Sequence, residues 1–182
     1  MSIDNDEFLM SDGLVGLRYF TLDDVEGITA ACQDSEIIRW TSIPSPYTVE
    51  FATTFVALTQ ERRENGSALH FAIVDRGDGG LGGAIGLDSI NQPPAQVGYW
   101  VAPWARRRGL ATNALRLVTT WAFECLRLDT IHLVTKIGNG PSERVATNAG
   151  YVFTDEVTDY GPAGAAEQFT VRRWVHRSDR AV

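Results

Sequence analysis

The chain has 182 residues, of which 44% are hydrophobic and 21% charged, a composition typical of one soluble globular domain. Its formal net charge of −7 at pH 7 argues against a general nucleic-acid-binding protein, which would carry a basic surface. No apolar run approaches the roughly 18 residues of a membrane helix, and the acidic N-terminus MSIDNDEFLM does not resemble a signal peptide. We therefore expect a cytoplasmic protein that binds neither nucleic acid nor a membrane.

The cysteines and histidines form no metal-binding pattern, so we expect no metal. Cys32 and Cys125 lie far apart and make no CxxC pair, which predicts free, buried thiols. His70, His132 and His176 show no metal spacing. His70 and His132 lie inside strand patterns, which favours a structural role over that of a ligand or base.

Hydrophobic spacing and capping residues divide the first half of the chain. Residues 1–12 are predicted to form a flexible N-terminus, before a single domain at residues 13–177. The predicted elements that follow are a strand at Leu14–Phe20, a helix from Thr21 to about Gln33, a short helix at Ser35–Trp40 and a helix from Thr48 to Glu64. The apolar face of this last helix is predicted at Phe51, Phe55 and Leu58.

The second half alternates strands with two helices. The predicted elements are strands at Ser67–Arg76, Leu81–Ile90 and Val97–Ala102, a helix from Leu110, a strand at Thr130–Lys136, a helix at Pro141–Ala149 that ends at Gly150, and strands at Tyr151–Asp159 and Ala166–His176 joined by GPAGA. The first two strands are expected to form an antiparallel hairpin. The strands on either side of the Leu110 helix form a βαβ-like crossover, which predicts a mixed sheet.

The stretch from Gly98 to Leu128 carries the clearest functional signal. A strand, GYWVAP, runs into a basic turn, RRRGLA, and the turn leads into a helix. The first N–H groups of a helix lack partners within it, and the helix dipole places partial positive charge there. With three arginines beside it, this junction is suited to bind an anion such as a phosphate.

Common nucleotide-binding and hydrolase motifs do not explain this junction. GDGGLG, at residues 77–82, fits the pattern GxGxxG. However, it joins two predicted strands and cannot place a phosphate on a helix N-terminus, so we interpret it as a hairpin turn. The sequence contains neither GxxxxGK[ST] nor GxSxG.

Three segments between roughly Ala68 and Tyr151 resemble the GNAT superfamily of acyl-CoA-dependent N-acyltransferases. They are the GYWVAP strand, an R-x-x-G-x-A loop at residues 106–111, and N-x-x-S-x-x-V-A-x-x-x-G-Y from Asn139 to Tyr151. Together they look similar to the branch of ribosomal-protein N-terminal alanine and serine acetyltransferases. The resemblance implies an α/β (α+β) fold with a GNAT-like twisted, mainly antiparallel sheet, a central parallel strand pair and flanking helices.

The resemblance also implies that coenzyme A binds along this stretch, with acetyl-CoA as the default donor. The pyrophosphate would lie on backbone N–H groups of the loop, where Gly109 allows close approach because it lacks a Cβ. The implied loop residues are Arg106, Arg107, Arg108, Gly109, Leu110, Ala111 and Thr112. The arginine side chains could meet the adenosine phosphate or remain in solvent.

On the strand before the loop, the implied cofactor-binding residues are Tyr99, Trp100 and Val101. In this family that strand splays from the next parallel strand, and the pantetheine arm fills the gap. The Tyr99 N–H would then face the thioester oxygen, where a fixed donor lowers the barrier to acyl transfer. Ordinary sheet packing is the other interpretation of these residues, and both can hold together.

Asn139 and Ser142 lie at the start of the short helix and have two interpretations. Both residue types can cap a helix N-terminus. The resemblance implies instead that Asn139 contacts the cofactor or an ordered water, and that Ser142 lies near the CoA sulfur and protonates the departing thiolate. Many members of the family use a tyrosine at the position of Ala146 here, so its absence leaves Ser142 or water as the acid.

The sequence does not identify the general base. Related proteins often carry a glutamate just before the GYW strand, but Gln96 stands here and cannot titrate. Asp88 and Glu156 are substitutes by strand position alone, and a water chain to backbone carbonyls is an equal alternative. Trp40 and Tyr47 are assigned with Asp88 to the acceptor site, although core or loop packing explains the two aromatic residues equally well.

The resulting prediction is an N-acetyltransferase that moves an acetyl group from acetyl-CoA directly to a primary amine. A protein N-terminal α-amine is one acceptor, and a small-molecule amine such as an antibiotic or a polyamine is the alternative. A non-catalytic CoA-binding module is a further alternative. Because Cys125 is predicted to be buried, a covalent acyl-cysteine step has little support. Homodimers are common among look-alike proteins, but no feature of the sequence requires one.

Overall fold

The computed structural model describes residues 8–159 and 169–180. Its strands are β1 (Met10–Ser11), β2 (Val15–Tyr19), β3 (Ala68–Asp75), β4 (Leu81–Asp88), β5 (Ala95–Val101), β6 (Thr130–Lys136), β7 (Val152–Asp159) and β8 (Phe169–Arg177). Its helices are α1 (Val25–Ala31), α2 (Ser35–Trp40), α3 (Val49–Glu64), α4 (Leu110–Cys125) and α5 (Gly140–Asn148). Short 3₁₀ turns lie at Leu22–Asp24 and Pro103–Ala105.

These strands form one mixed sheet in the order β1-β2-β3-β4-β5-β6-β8-β7. Every neighbouring pair is antiparallel except β5 and β6, which run parallel. Parallel strands need a crossover connection, and α4 supplies it between β5 and β6. This topology confirms the predicted mainly antiparallel sheet with a central parallel pair.

Helices cover both faces of the sheet. On β3, the Phe71 ring meets Trp121 of α4 at a centroid distance of 6.0 Å, whereas the neighbouring His70 meets Phe55 of α3 at 6.1 Å. Because successive side chains of a strand point to opposite faces, α4 and α3 lie on opposite sides of the sheet. The α4 residues buried against the core are Leu110, Ala114, Leu115, Val118, Thr119 and Ala122.

Two details differ from the prediction. Met10 and Ser11 pair with β2, so the predicted flexible segment 1–12 contains a short strand. Cys125 is exposed, not buried, because the buried stripe of α4 ends at Ala122, whereas Cys32 is buried as expected. Of the predicted strand Ala166–His176, the structure describes the part from Phe169, and residues 166–168 lie outside the described residues. The GPAGA segment lies outside the described residues.

The buried face of α3 also differs from the prediction. Phe51 and Leu58 are 44% and 40% exposed, and the buried positions are Ala52, Val56 and Thr59. Small side chains at these positions let α3 lie close to α1 and β3, which it contacts. The larger apolar residues are therefore left at the rim of the helix.

Candidate active site

The parallel strands β5 and β6 separate near the centre of the sheet. The paired residues are Ala95 with Ile131, Gln96 with His132, and Val97 with Leu133. Beyond this point β5 continues to Val101 and β6 to Lys136 without pairing with each other. The two strands therefore enclose a gap whose wide end lies toward the turn before α4. An extended ligand could pair with the backbone edges of this gap in the manner of an added strand.

The turn after β5 presents backbone N–H groups at the N-terminus of α4. Ala102 anchors the start of this turn by donating its N–H to the Gly82 carbonyl at 2.9 Å. Arg107 and Gly109 have positive φ angles of 61° and 80°, so the chain bends sharply before the helix. No side chain caps the helix start at Gly109. The first-turn N–H groups, which have no partner within the helix, are thus suited to an anion such as a pyrophosphate.

Arg106 fastens this turn to helix α2. Its guanidinium contacts both carboxylate oxygens of Asp34, at 2.5 and 3.3 Å. The same carboxylate caps α2 by accepting from the N–H groups of Glu36 and Ile37 at 3.1 and 3.0 Å. The hydrogen bond from Arg106 holds the pKa of Asp34 below its usual value. Arg106 is therefore occupied by a protein contact, with its side chain 35% exposed.

The other two arginines of the turn differ from each other. Arg108 pairs with Asp75 at 2.6 Å and with Asp78 at 3.2 Å, which joins the turn to the β3–β4 hairpin. Arg107 is exposed and forms no ion pair with any residue that the structure describes. Of the three arginines, Arg107 is therefore the one whose charge is available to a ligand.

Asn139 and Ser142 have different roles at the start of α5. Asn139 is the N-cap, and its Oδ1 accepts from the Ser142 N–H at 3.2 Å, in agreement with the capping interpretation. Ser142 does not act as a cap, because its Oγ lies 2.8 Å from the hydroxyl of Tyr99. Tyr99 stands on β5 just past the last residue paired with β6. This hydroxyl pair therefore lies beside the gap.

The Tyr99 hydroxyl is a polar group that the sequence prediction missed, since it used only the backbone of this residue. Burial raises the pKa of Tyr99 to about 12, although its hydrogen bond with Ser142 acts in the opposite direction. Tyr99 is therefore protonated at neutral pH and can donate to Ser142 Oγ. Strand alternation could have indicated the direction of the ring, because Tyr99 shares a face with the buried Val97.

The two aromatic residues predicted for the acceptor site have local partners. Tyr47 is 7% exposed and belongs to a buried cluster with Ile28 and Val56, so it follows the core-packing alternative and not the predicted pocket wall. Trp40 is half-buried beneath the guanidinium of Arg39, 4.4 Å from its ring centroid. The structure does not bring Trp40 and Tyr47 together as one aromatic wall.

The two carboxylates considered as bases both have cationic partners. Asp88 lies 3.5 Å from His70 Nε2 and 3.5 Å from Arg62 Nη1. Burial acts to raise the pKa of Asp88, but the hydrogen bond from His70 and the charges of His70 and Arg62 outweigh it, so the pKa lies below its usual value. Glu156 pairs with Arg172 at 3.4 Å. The cationic partners of Asp88 stabilise its ionised form and make it a weaker proton acceptor.

In the part of the chain that the structure describes, the gap and the turn before α4 offer backbone N–H groups, the hydroxyls of Tyr99 and Ser142, and the guanidinium of Arg107, which has no ion-pair partner there. Among residues 8–159 and 169–180, no cluster of His, Cys, Asp or Glu could hold a metal ion. No helix in that part of the chain is long and apolar enough to cross a membrane. The groups present are suited to binding an anionic ligand and to moving protons.

Sequence comparison identifies relatives that are named as N-acetyltransferases. The chain matches the acetyltransferase (GNAT) domain over residues 15–152. It is 30% identical over 149 residues to the uncharacterized N-acetyltransferase YoaA of Bacillus subtilis (strain 168), which corresponds to 79% of this chain and 81% of that protein.

Solved structures show the same fold at lower identity. The ribosomal-protein-S5-alanine acetyltransferase of Vibrio fischeri aligns with a TM-score of 0.79 and 17% identity, covering 96% of this chain and 99% of that one. The microcin C7 self-immunity acetyltransferase MccE, solved with acetyl-CoA and AMP, aligns with a TM-score of 0.80 and 14% identity, covering 92% and 94%. With the domain match extending over most of its length, this chain belongs to the GNAT acetyltransferase family and is an N-acetyltransferase.

Proposed function

We propose that this enzyme binds acetyl-CoA in the gap between β5 and β6 and transfers the acetyl group directly to a primary amine. The observation that carries this proposal is the hydroxyl pair of Tyr99 and Ser142, 2.8 Å apart, beside strand edges that are not paired. An extended arm can lie along such edges, and a proton donor stands next to it. Acetyl-CoA supplies a thioester whose acyl carbon is open to attack by an amine.

The turn before α4 would hold the pyrophosphate of the donor. Its N–H groups from Arg107 to Thr112 surround the helix start, and the N-cap Gly109 has no side chain to occupy them. Arg107 would add the free positive charge. Arg106 and Arg108, which are occupied by carboxylates, would instead keep the turn in shape. Leu110 is 1% exposed and anchors the helix to the core.

The residues on β5 would align the thioester arm. Val101 lies beyond the last residue paired with β6, so its backbone groups are open to the arm, whereas strand alternation directs those of Trp100 toward β4. The Tyr99 N–H would donate to the thioester oxygen as negative charge develops there. Loss of one such donor costs about 2.7–4 kcal/mol in other acyl-transfer enzymes. A side-chain substitution at Tyr99 would not remove it.

Ser142 would act as the acid for the departing thiolate. Its hydroxyl would give a proton to the sulfur, and the protonated Tyr99 hydroxyl would stabilise Ser142 Oγ through their hydrogen bond. Asn139 would serve as a positioning residue, because its cap fixes the backbone of Ser142. The alanine at position 146 is fully buried and offers no proton, which leaves this role to the hydroxyl pair.

The acceptor is proposed to be a protein N-terminal α-amine. The similarity to a ribosomal-protein-S5-alanine acetyltransferase supports this choice. A small-molecule amine is the second candidate, supported by the similarity to the microcin C7 self-immunity enzyme. Since both neighbours share less than a fifth of their residues with this chain, the acceptor must be identified by experiment.

Thiol release from acetyl-CoA, measured with a panel of amines, tests this proposal. The panel contains peptides with free N-terminal alanine or serine, the same peptides with blocked N-termini, and polyamines. We expect release with the free peptides only. Release with polyamines alone would replace the proposed acceptor by the small-molecule one. Binding of CoA without release for any amine would leave a non-catalytic CoA-binding module.

A further inference from the structure

A cavity lies on the face of the sheet opposite Ser142. Its volume is about 290 Å³, and its lining residues are Gln96, His132, Val134, Val157, Thr158, Val171 and Arg173. Because Tyr99 directs its side chain toward Ser142, strand alternation directs Gln96 and Gly98 to the other face. Gln96 pairs with His132 one residue before β5 and β6 separate, so this cavity adjoins the narrow end of the gap.

Two titratable residues flank Gln96 in one row across the sheet. Asp88 on β4 pairs with Gln96 on β5, and Gln96 pairs with His132 on β6. Gly98 lies on the same face of the sheet as Gln96, two residues further along β5 toward the wide end of the gap. A Cβ built at Gly98 would meet nothing within 4 Å, so the surface above it is open. An amine could approach the gap over Gly98. His70 lies in the same row, two strands away, and contacts Asp88, while Asp88 and His132 are the titratable groups of the adjoining row.

The surroundings of these two groups favour His132 as the proton acceptor. Asp88 is held by His70 and Arg62. The half-buried imidazole of His132 makes no hydrogen bond with any described residue. Burial lowers the pKa of His132 below 6.5, and the charges of Arg173 and Arg177 on β8 lower it further, while Asp155 on β7 acts in the opposite direction. His132 is therefore neutral at pH 7 and has a nitrogen free to accept a proton.

We propose that His132 is the general base that removes the proton from the acceptor amine, directly or through one water molecule. This inference rests on the proposed acetyl transfer. Two residues along a strand span about 6.6 Å, so the row of His132 lies about that far from the row of Gly98. A bound amine or a water molecule can bridge this distance.

The proposed step places the two proton transfers on opposite faces of the sheet. The lone pair of the amine nitrogen forms the new C–N bond, and the C–S bond breaks with its electron pair on sulfur. One proton passes from nitrogen to His132, and one passes from Ser142 to sulfur. Solvent then takes the proton from His132 and restores that of Ser142, so that one amide and one free thiol are formed.

The first test follows the His132 imidazole by NMR in the protein without acetyl-CoA. Its resonance is assigned by its loss in His132→Gln. We expect His132 to titrate below pH 6.5, and we expect Arg173→Gln to move this titration to higher pH, because a nearby positive charge is removed. Titration at or above the ordinary value, with no response to Arg173→Gln, would contradict the proposed environment of this base.

The second test is the pH dependence of acetyl transfer, measured with the amine of the panel that gives the fastest thiol release. Below the pKa of His132 the base is protonated, so wild-type kcat/KM should fall there. In His132→Gln this acidic limb of the pH profile should disappear. The kcat of this variant should fall by about 10²–10⁴-fold, with little change in KM for acetyl-CoA. Ionisation of the amine contributes equally to every variant, so the comparison isolates the enzyme group.

Two further variants make this test selective. His176→Gln is the matched control, because His176 lies on the opposite face and packs against Tyr151 with ring centroids 5.2 Å apart. It should keep both the limb and the turnover of the wild type. Asp88→Asn should also keep the limb. Loss of the limb in Asp88→Asn, or its retention in a fully active His132→Gln, would overturn the assignment to His132. A wild type that binds acetyl-CoA but acetylates no amine would refute the proposed function and this inference with it.

Discussion

Replacing Gly109 by alanine separates the conformational role of this glycine from its role in binding. Gly109 has φ +80°, and a Cβ there would come no closer than 3.5 Å to Leu14 Cδ2, which is an ordinary contact. The cost to folding is therefore backbone strain alone, about 1–2 kcal/mol. Gly66→Ala is a matched control, because Gly66 has φ +70°, has nothing within 4 Å of a built Cβ, and lies between α3 and β3. Both variants should lower Tm by about 2–8 °C.

Only Gly109→Ala should weaken CoA binding. Its Cβ would stand where the pyrophosphate approaches the N–H groups at the start of α4. Loss of one hydrogen bond to a charged group costs about 1.5–3 kcal/mol, which corresponds to a roughly 10–150-fold higher Kd. Isothermal titration with CoA measures this change, and Gly109→Glu, which adds a negative charge, should abolish binding in a folded protein. Unchanged affinity in Gly109→Ala, or an equal loss in Gly66→Ala, would refute the placement of the pyrophosphate.

Four other predictions concern the remaining parts of the site. Ser142→Ala should lower kcat by about 10²-fold or more while changing CoA affinity little, and an equal loss of both would mark Ser142 as a binding residue. Tyr99→Phe should produce a smaller loss of kcat, because it removes only the hydroxyl that supports Ser142. Arg107→Gln should weaken CoA binding, with a salt dependence smaller than that of the wild type. Asp34→Ala should lower the free energy of unfolding by about 1 kcal/mol through loss of the cap. Because the folded-state pKa of Asp34 is lowered, its ionised form stabilises the fold above the unfolded-state pKa. The wild type should therefore lose this contribution as pH falls through the folded-state pKa of Asp34, and Asp34→Ala should not. Denaturant titrations that show the same loss of stability in acid for both proteins would contradict this prediction.

The order of elements was predictable because local signals agree along the chain. Thr48 accepts a hydrogen bond from the Phe51 N–H as the cap of α3. Gly150 has φ +89° just past α5, as expected of the residue that ends the helix. The βαβ crossover around α4 predicted the one parallel pair. The two helix-end signals depend on residues close together in sequence, and the crossover follows from the order of consecutive elements.

The features that the sequence did not predict depend on contacts between distant segments. Both sides of α3 carry apolar residues, and contacts with α1 and β3 bury the side of Ala52 and leave Phe51 exposed. Tyr99 and Ser142 are 43 residues apart, so no local pattern indicates their hydrogen bond. His132 resembles an ordinary strand residue until its register beside Gln96 is known. The basic turn predicted where the candidate site lies, but only the carboxylates of other segments distinguish Arg107 from its two neighbours.

Exposure of Cys125 makes the choice between direct transfer and a covalent intermediate experimentally important. A thiol at the surface could in principle carry an acyl group, whereas the gap between β5 and β6 requires none. Direct transfer needs both substrates bound at once, whereas a covalent acyl-enzyme gives ping-pong kinetics. The most direct test is therefore the initial rate of thiol release, measured while acetyl-CoA and the amine are both varied. We predict intersecting double-reciprocal lines. Parallel lines, accompanied by an acetylated protein in the absence of amine, would contradict direct transfer.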